Sequence, residues 1–246
     1  MRMQTILSLV LVTTGVSHLM PRDFNSNRTP ALMERAASGK KIISIKVATI
    51  KVPGTDQTDS GRCNAAQIEI LNTTIPEARR MLENAAKALA KKGVEKSPAY
   101  TDWFGKQKAV TAKLLKKHNF QAPLDTLRLS LEVSTDTLAP GDLDPNAVTF
   151  TCWPEKDIRC NRSGQYRWVA GTKNPSGKDP AGTLVGLCPM FFELSTLEEV
   201  VREFDPNRAD TRVSSAALTI VHEMQHVMLA TGEDRVCKDI VYHTAE

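Results

Sequence analysis

Two histidines four residues apart, with a glutamate beside the first, form His222-Glu223-Met224-Gln225-His226, and no other residues of the chain reach further toward chemistry by type and spacing. On an α-helix, positions 222 and 226 lie one turn apart on a shared face, so both imidazoles can reach one ion at about 2.0–2.1 Å. Glu223 then stands beside the ion's open position. There a carboxylate takes the proton of a water whose pKa the ion lowers toward about 7. This is the donor set of a hydrolytic zinc site: one Zn²⁺ per chain, His222 and His226 as ligands, Glu223 as general base. Two solvated histidines at helical spacing give the same five letters, and the surrounding segments favour the ion.

Those segments must first supply the helix. Ala217, Val221, Met224 and Val227 or Met228 make an apolar stripe, Ser214 or Thr211 can cap its start, and Gly232 can stop it. Both histidines fall beside the stripe that faces the core. Upstream, β-branched Ile42 to Val52 predicts a strand. Thr74-Ile75-Pro76-Glu77 has the form of a capping box with an early proline, and Ala78, Met81, Leu82, Ala85 and Leu89 follow at helical spacing to a stop near Gly93. A second helix is expected from Ala99 to His118, burying Trp103, Phe104, Val110, Leu114 and Leu115. The alternation of Leu127 to Val133 predicts a strand, as do Val148 to Trp153, Tyr166 to Ala170 and Thr183 to Leu187. Helices, a small sheet and a motif helix make an α+β domain. Asp142-Leu143-Asp144-Pro145-Asn146 imitates a calcium loop, but Ala147 stands where its glycine belongs and Trp153 where its bidentate glutamate belongs, so it reads as an acidic turn.

The 246 residues suffice for one well-buried domain, and the net charge of +4 comes largely from lysines between Lys87 and Lys117 on helical segments. A solvated helix face accounts for them, and no nucleic-acid partner is expected. Met1-Arg2-Met3-Gln4-Thr5 and the apolar run Ile6 to Val16 read as a secretory signal, too short to span a bilayer. The expected organisation is a signal peptide over 1–19, a flexible leader or short pro-segment over 20–41, with Lys40-Lys41 as a candidate processing site, and a single domain over 42–246. In an oxidising compartment Cys63, Cys152, Cys160, Cys188 and Cys237 pair where geometry allows and leave one over. The sequons at Asn27, Asn72 and Asn161 agree with export.

Several separated segments then coincide: Cys63 ahead of the helical pair, Trp103-Phe104, Phe150-Thr151-Cys152 followed by Cys160, Gly186-Leu187-Cys188-Pro189-Met190-Phe191-Phe192, and Leu218-Thr219-Ile220-Val221 leading into the motif. Together they resemble the fungal aspzincins, the deuterolysin and lysine-specific metalloendopeptidase group, and look most like its divergent peptidase-domain relatives. The resemblance runs over roughly residues 60 to 242. Its specific parts are the zinc motif and the Cys-Pro-x-Phe-Phe segment. It implies a zincin-like fold, with a twisted sheet packed on the motif helix and a substrate strand along the sheet edge. It also implies the disulfides Cys63–Cys152 and Cys160–Cys188, although the cysteines by themselves allow other pairings. A third zinc ligand is implied in a segment Gly-Thr-x-Asp-x-x-Tyr-Gly. Asp239-Ile240-Val241-Tyr242 supplies its Asp-x-x-Tyr part without the flanking residues, which makes Asp239 the expected ligand, with Asp234 as competitor and His243 behind it.

Two departures bear on activity. The resemblance implies a tyrosine just after the cysteine matching Cys188, its hydroxyl stabilising the oxyanion, and Phe191-Phe192 occupy that stretch. Losing one oxyanion donor lowers the rate by about 10²–10³, unless Tyr242 or Tyr166 substitutes. The chain also ends at Glu246, where relatives continue with another cysteine; a missing C-terminal segment, a free thiol or an intermolecular bridge would each account for Cys237. The expectation is a monomeric, secreted zinc endopeptidase acting on proteins or peptides, with no membrane contact after signal cleavage. The alternative is a catalytically weak or inactive zinc-binding secreted protein: a metal scavenger, an antigen or a host-interaction factor.

Overall fold

The structure, a computed structural model, describes residues 42, 44–51, 61–104, 111–160, 168–175, 181–203 and 214–237. The expected signal peptide and leader lie outside the described residues, as do Asp239, Tyr166, Tyr242 and His243. The first strand, β1 (Ser44–Ile50), falls within the expected run and is followed by α1 (Ala65–Leu89) and α2 (Pro98–Phe104). Next come α3 (Ala112–Leu114), a π-helical stretch Leu115–Gln121 and α4 (Ala122–Leu127), which succeed one another without a gap. The strands β2 (Leu131–Leu138), β3 (Ala147–Cys152), β4 (Ala170–Lys173) and β5 (Thr183–Leu187) precede α5 (Leu197–Glu203), α6 (Ala216–His226) and α7 (Met228–Thr231).

The class is α+β, with one mixed five-stranded sheet in the order β2-β1-β3-β5-β4. Strands β2, β1, β3 and β5 run parallel and β4 closes one edge antiparallel to β5. Every residue of β3 and β5 is buried, which is why these strands read as near-continuous apolar runs. The core joins Ile45, Val47, Val148, Phe150, Val185 and Leu187 of the sheet to Leu71, Ile75 and Leu82 of α1 and to Ala217, Ile220, Val221 and Met224 of α6. Acidic Asp144 makes an Asx turn to Asn146 N and an ion pair with Lys46 at 3.5 Å, in keeping with an ordinary turn.

Several boundaries differ from the sequence expectation. The strand expected from Tyr166 to Ala170 is observed as β4, Ala170–Lys173, with Trp168 and Val169 outside it, because its partner β5 ends at Leu187 opposite Ala170. Helix α1 begins nine residues before Thr74: Asn64 Oδ1 accepts from Gln67 N and Gln67 Oε1 accepts from Asn64 N, both at 2.9 Å, a capping box upstream of the one foreseen. Pro76 lies inside the helix. A mid-helix proline costs about 3 kcal/mol, and burial of large apolar side chains, about 1.5–3 kcal/mol each, outweighs it; Leu71, Ile75, Met81, Leu82 and Leu89 all point into the core. The expected helix from Ala99 to His118 is divided, with Thr111 capping a fresh start at Leu114 N, and Leu115 and Phe120 buried. The strand expected at Leu127 begins at Leu131. Leu127 is instead the buried last residue of α4, and exposed Val133 shows that the alternation did not mark a core face.

On the sheet face away from α6, Trp153 and Trp168 cover two facing glycines, Gly171 and Gly186, beside the Cys160–Cys188 disulfide. Arg159 stacks on Trp153 at 4.2 Å and pairs with Asp157. Cys63–Cys152 ties the residue before the α1 cap to the end of β3. Both implied disulfides are thus present, and they fit an oxidising compartment; Cys237 is in neither. No helix among the described residues is long and apolar enough to cross a membrane. A Cβ on Gly186 would lie 1.9 Å from Trp153 Cζ2, so Gly186→Ala should displace the indole and lower stability by about 3 kcal/mol, read as a fall in Tm of roughly 6–12 °C. A Tm within about 2 °C of wild type would show that the tryptophan layer has slack.

Candidate metal centre

Helix α6 carries the motif. Ser215 caps it, its hydroxyl accepting from Leu218 N at 3.1 Å, one residue past the expected Ser214 because Ser215 is pinned by a bridge to Ser195. Ala217, Val221, Met224 and Val227 are fully buried, so the stripe faces the core as its spacing predicts. The helix ends at His226, where Val227 leaves helical geometry at ψ 97°. A further turn, α7, runs on to Gly232 at φ 88°.

The histidine rings converge. His222 Nε2 and His226 Nε2 are 3.1 Å apart. Two nitrogens each about 2.05 Å from one tetrahedral ion stand roughly 3.3 Å apart, so the pair fits a shared zinc within a few tenths of an ångström. His226 Nδ1 lies 2.8 Å from Cys237 O. A carbonyl only accepts, so Nδ1 carries the proton and the Nε2 lone pair is directed at the space shared with His222.

Glu223 is buried at 5% exposure. Thr172, on β4, donates its hydroxyl to Glu223 Oε2 at 2.7 Å, with Glu223 O a longer 3.3 Å away. Two residues on, Asn174 Nδ2 donates to His226 O at 2.7 Å and Asn174 Oδ1 accepts from Met228 N at 2.8 Å, spanning the break between α6 and α7. Positions 172 and 174 share one face of an extended chain. The edge strand therefore grips the motif helix at both its carboxylate and its last turn.

A second grip comes from the π-helical stretch. Pro123 has no N–H to offer Asn119 O one α-turn back, and that carbonyl accepts Gln225 Nε2 at 2.6 Å. Asn119 Nδ2 donates to Arg235 O at 3.3 Å, and Cys237 N donates to Gln225 O at 3.1 Å. Gln225, the fourth letter of the motif, thus fastens residues 235–237 beside His226.

The structure brings His222, Glu223 and His226 together on α6. Asp239 lies outside the described residues, and Asp234 falls in the short 3₁₀ turn Glu233–Arg235. No group of three or more His, Cys, Asp or Glu suited to a metal occurs among the described residues. Phe191 is buried in the core against Phe192, edge to face, and neither supplies a hydroxyl. Sequence reasoning missed Thr172, Asn174 and Asn119. They lie 51 to 116 positions from the groups they hold, and no local spacing signals them; Gln225, inside the motif, was the nearest clue.

No family model, curated protein or solved structure matches the chain.

Proposed function

We propose that the protein is a secreted zinc endopeptidase with a zincin-like fold, resembling the aspzincins. One observation carries this reading: two Nε2 atoms meet at 3.1 Å one residue away from a buried carboxylate held by a hydroxyl. An accidental pair of solvated histidines has no reason to have one ring fixed by a backbone carbonyl or the intervening glutamate buried. A bound Zn²⁺ supplies polarisation of the peptide carbonyl and acidification of water. His222 and His226 would hold it. Glu223 takes the proton of the attacking water and returns it to the leaving amine. Strand β4, at the sheet edge above the motif helix, suits an extended peptide added alongside it.

Asp239 is the third ligand in this reading. Cys237 is fixed against the His226 ring, and Asp239 follows within about 7 Å of chain. The disulfides and the apolar N-terminal run support secretion. A second reading, a zinc-binding protein of little activity, is favoured by the hydroxyl-free Phe191-Phe192 pair alone. Zinc content and casein cleavage of the purified chain separate the two: about one zinc per chain with chelator-sensitive cleavage is expected. Zinc without cleavage selects the second reading, and a chain that binds no zinc overturns both.

A further inference from the structure

Thr172 lies 51 residues before Glu223 and belongs to a different element, yet its hydroxyl makes the 2.7 Å contact with the carboxylate on which hydrolysis would turn. Resting on the endopeptidase reading, we propose that Thr172 is the positioning residue for the Glu223 general base, holding Oε2 so that the other carboxylate oxygen takes the proton from water.

The geometry separates this role from a mere strand-to-helix clasp. A threonine hydroxyl has one proton to donate. Glu223 O and Glu223 Oε2 are both near it, at 3.3 Å and 2.7 Å, and the shorter distance assigns the proton to Oε2. Attachment of β4 to the helix does not depend on this bond, because Asn174 makes two more to His226 O and Met228 N. Thr172 faces α6 by register: it pairs with Val185, whose side chain is in the core, while its neighbour Gly171 pairs with Gly186 under the tryptophans on the other face. A shift of one residue would put Lys173 or Gly171 opposite the carboxylate, and neither carries a hydroxyl.

The consequence is mechanical as well as chemical. A glutamate has three side-chain torsions, and a base must sit within a fraction of an ångström of its working position. Burial alone restricts Glu223 without choosing its carboxylate orientation. The Thr172 hydroxyl on Oε2 adds that choice. Because the hydroxyl belongs to the edge strand, a peptide laid along β4 would be referenced to the same element that sets the base.

The test compares wild type, Thr172→Val, Thr172→Ser and Glu223→Gln for zinc content, for kcat and KM on a fluorescent casein, and for the carbon NMR shift of the Glu223 carboxyl, identified by its loss in Glu223→Gln. Thr172→Val is expected to keep one zinc and the wild-type KM and to lose kcat about 10- to 100-fold, the effect of deleting a hydrogen bond to a charged group. Its Glu223 carboxyl signal should move even in metal-free protein. Thr172→Ser should restore the signal and bring kcat within about threefold of wild type, a rescue that a purely structural methyl contact would not give. Thr172→Val as active as a wild type that cleaves, or an unmoved Glu223 signal, overturns the positioning role alone. A wild type without Glu223-dependent cleavage overturns the endopeptidase reading and this role together.

Discussion

Glu223→Gln is expected to lose casein hydrolysis by on the order of 10²–10⁴-fold while still binding one zinc per chain. The two side chains are nearly the same shape, and the amide oxygen of glutamine can accept the Thr172 hydroxyl as Oε2 does now. What is lost is the ability to take a proton. Glu223 is 5% exposed, and replacing a buried ionisable group by a neutral one relieves desolvation, so the variant should be at least as stable as wild type. Zinc should be unaffected because Glu223 sits between the two ligands in sequence without being one of them. Zinc content and initial rates on one preparation decide the matter. A Glu223→Gln chain retaining more than about a tenth of the wild-type rate would remove Glu223 from the role of base, since that falls well short of a general-base contribution.

The placement of His222, Glu223 and His226 together on one helix was legible because its signal is local. Three residues within five positions, on a helix whose stripe Ala217, Val221 and Met224 has the correct period, need no knowledge of the rest of the chain. β5 was equally legible, because a short apolar run between turn residues has few other uses. What failed was where local signals competed with packing. Thr74-Ile75-Pro76-Glu77 has every mark of a helix start, but burial of Leu71 and Ile75 draws the helix through the proline from Asn64. The Leu127–Val133 alternation obeys the strand period, and Leu127 nevertheless completes α4. The supports of the site were not legible for a different reason. Thr172 meets Glu223 only because β4 pairs antiparallel with β5 in one register, and Asn119 meets Gln225 only because it lies in a π-helical stretch, Leu115–Gln121, that Pro123 follows in the first turn of α4. Both are properties of assembled elements.

Replacing either histidine should abolish zinc binding without unfolding the chain. His222 and His226 flank the apolar stripe, and the residues that carry the α6 packing, Ala217, Ile220, Val221 and Met224, are untouched by His222→Ala or His226→Ala. Changes to the groups that merely orient metal ligands lower affinity about 10- to 100-fold, so loss of a ligand should exceed about 100-fold. Two consequences are measurable: zinc content should fall below about a tenth per chain after dialysis, and the rise in Tm that zinc gives wild type, roughly 5–10 °C at a hundredfold excess over Kd, should vanish. The two variants should differ in one respect. His226 Nδ1 also holds Cys237 O, so His226→Ala should remove one of the bonds on residues 235–237 and speed amide exchange there, whereas His222→Ala should leave that exchange unchanged. Asp239→Ala should resemble the histidine variants in zinc loss, and Asp234→Ala should not; the reverse order would move the third ligand to Asp234. A His226→Ala chain that still takes up one zinc with wild-type affinity would place the metal elsewhere. The 3.1 Å meeting of the two rings would then be a simple hydrogen bond, with His222 Nε2–H donating to the His226 Nε2 lone pair.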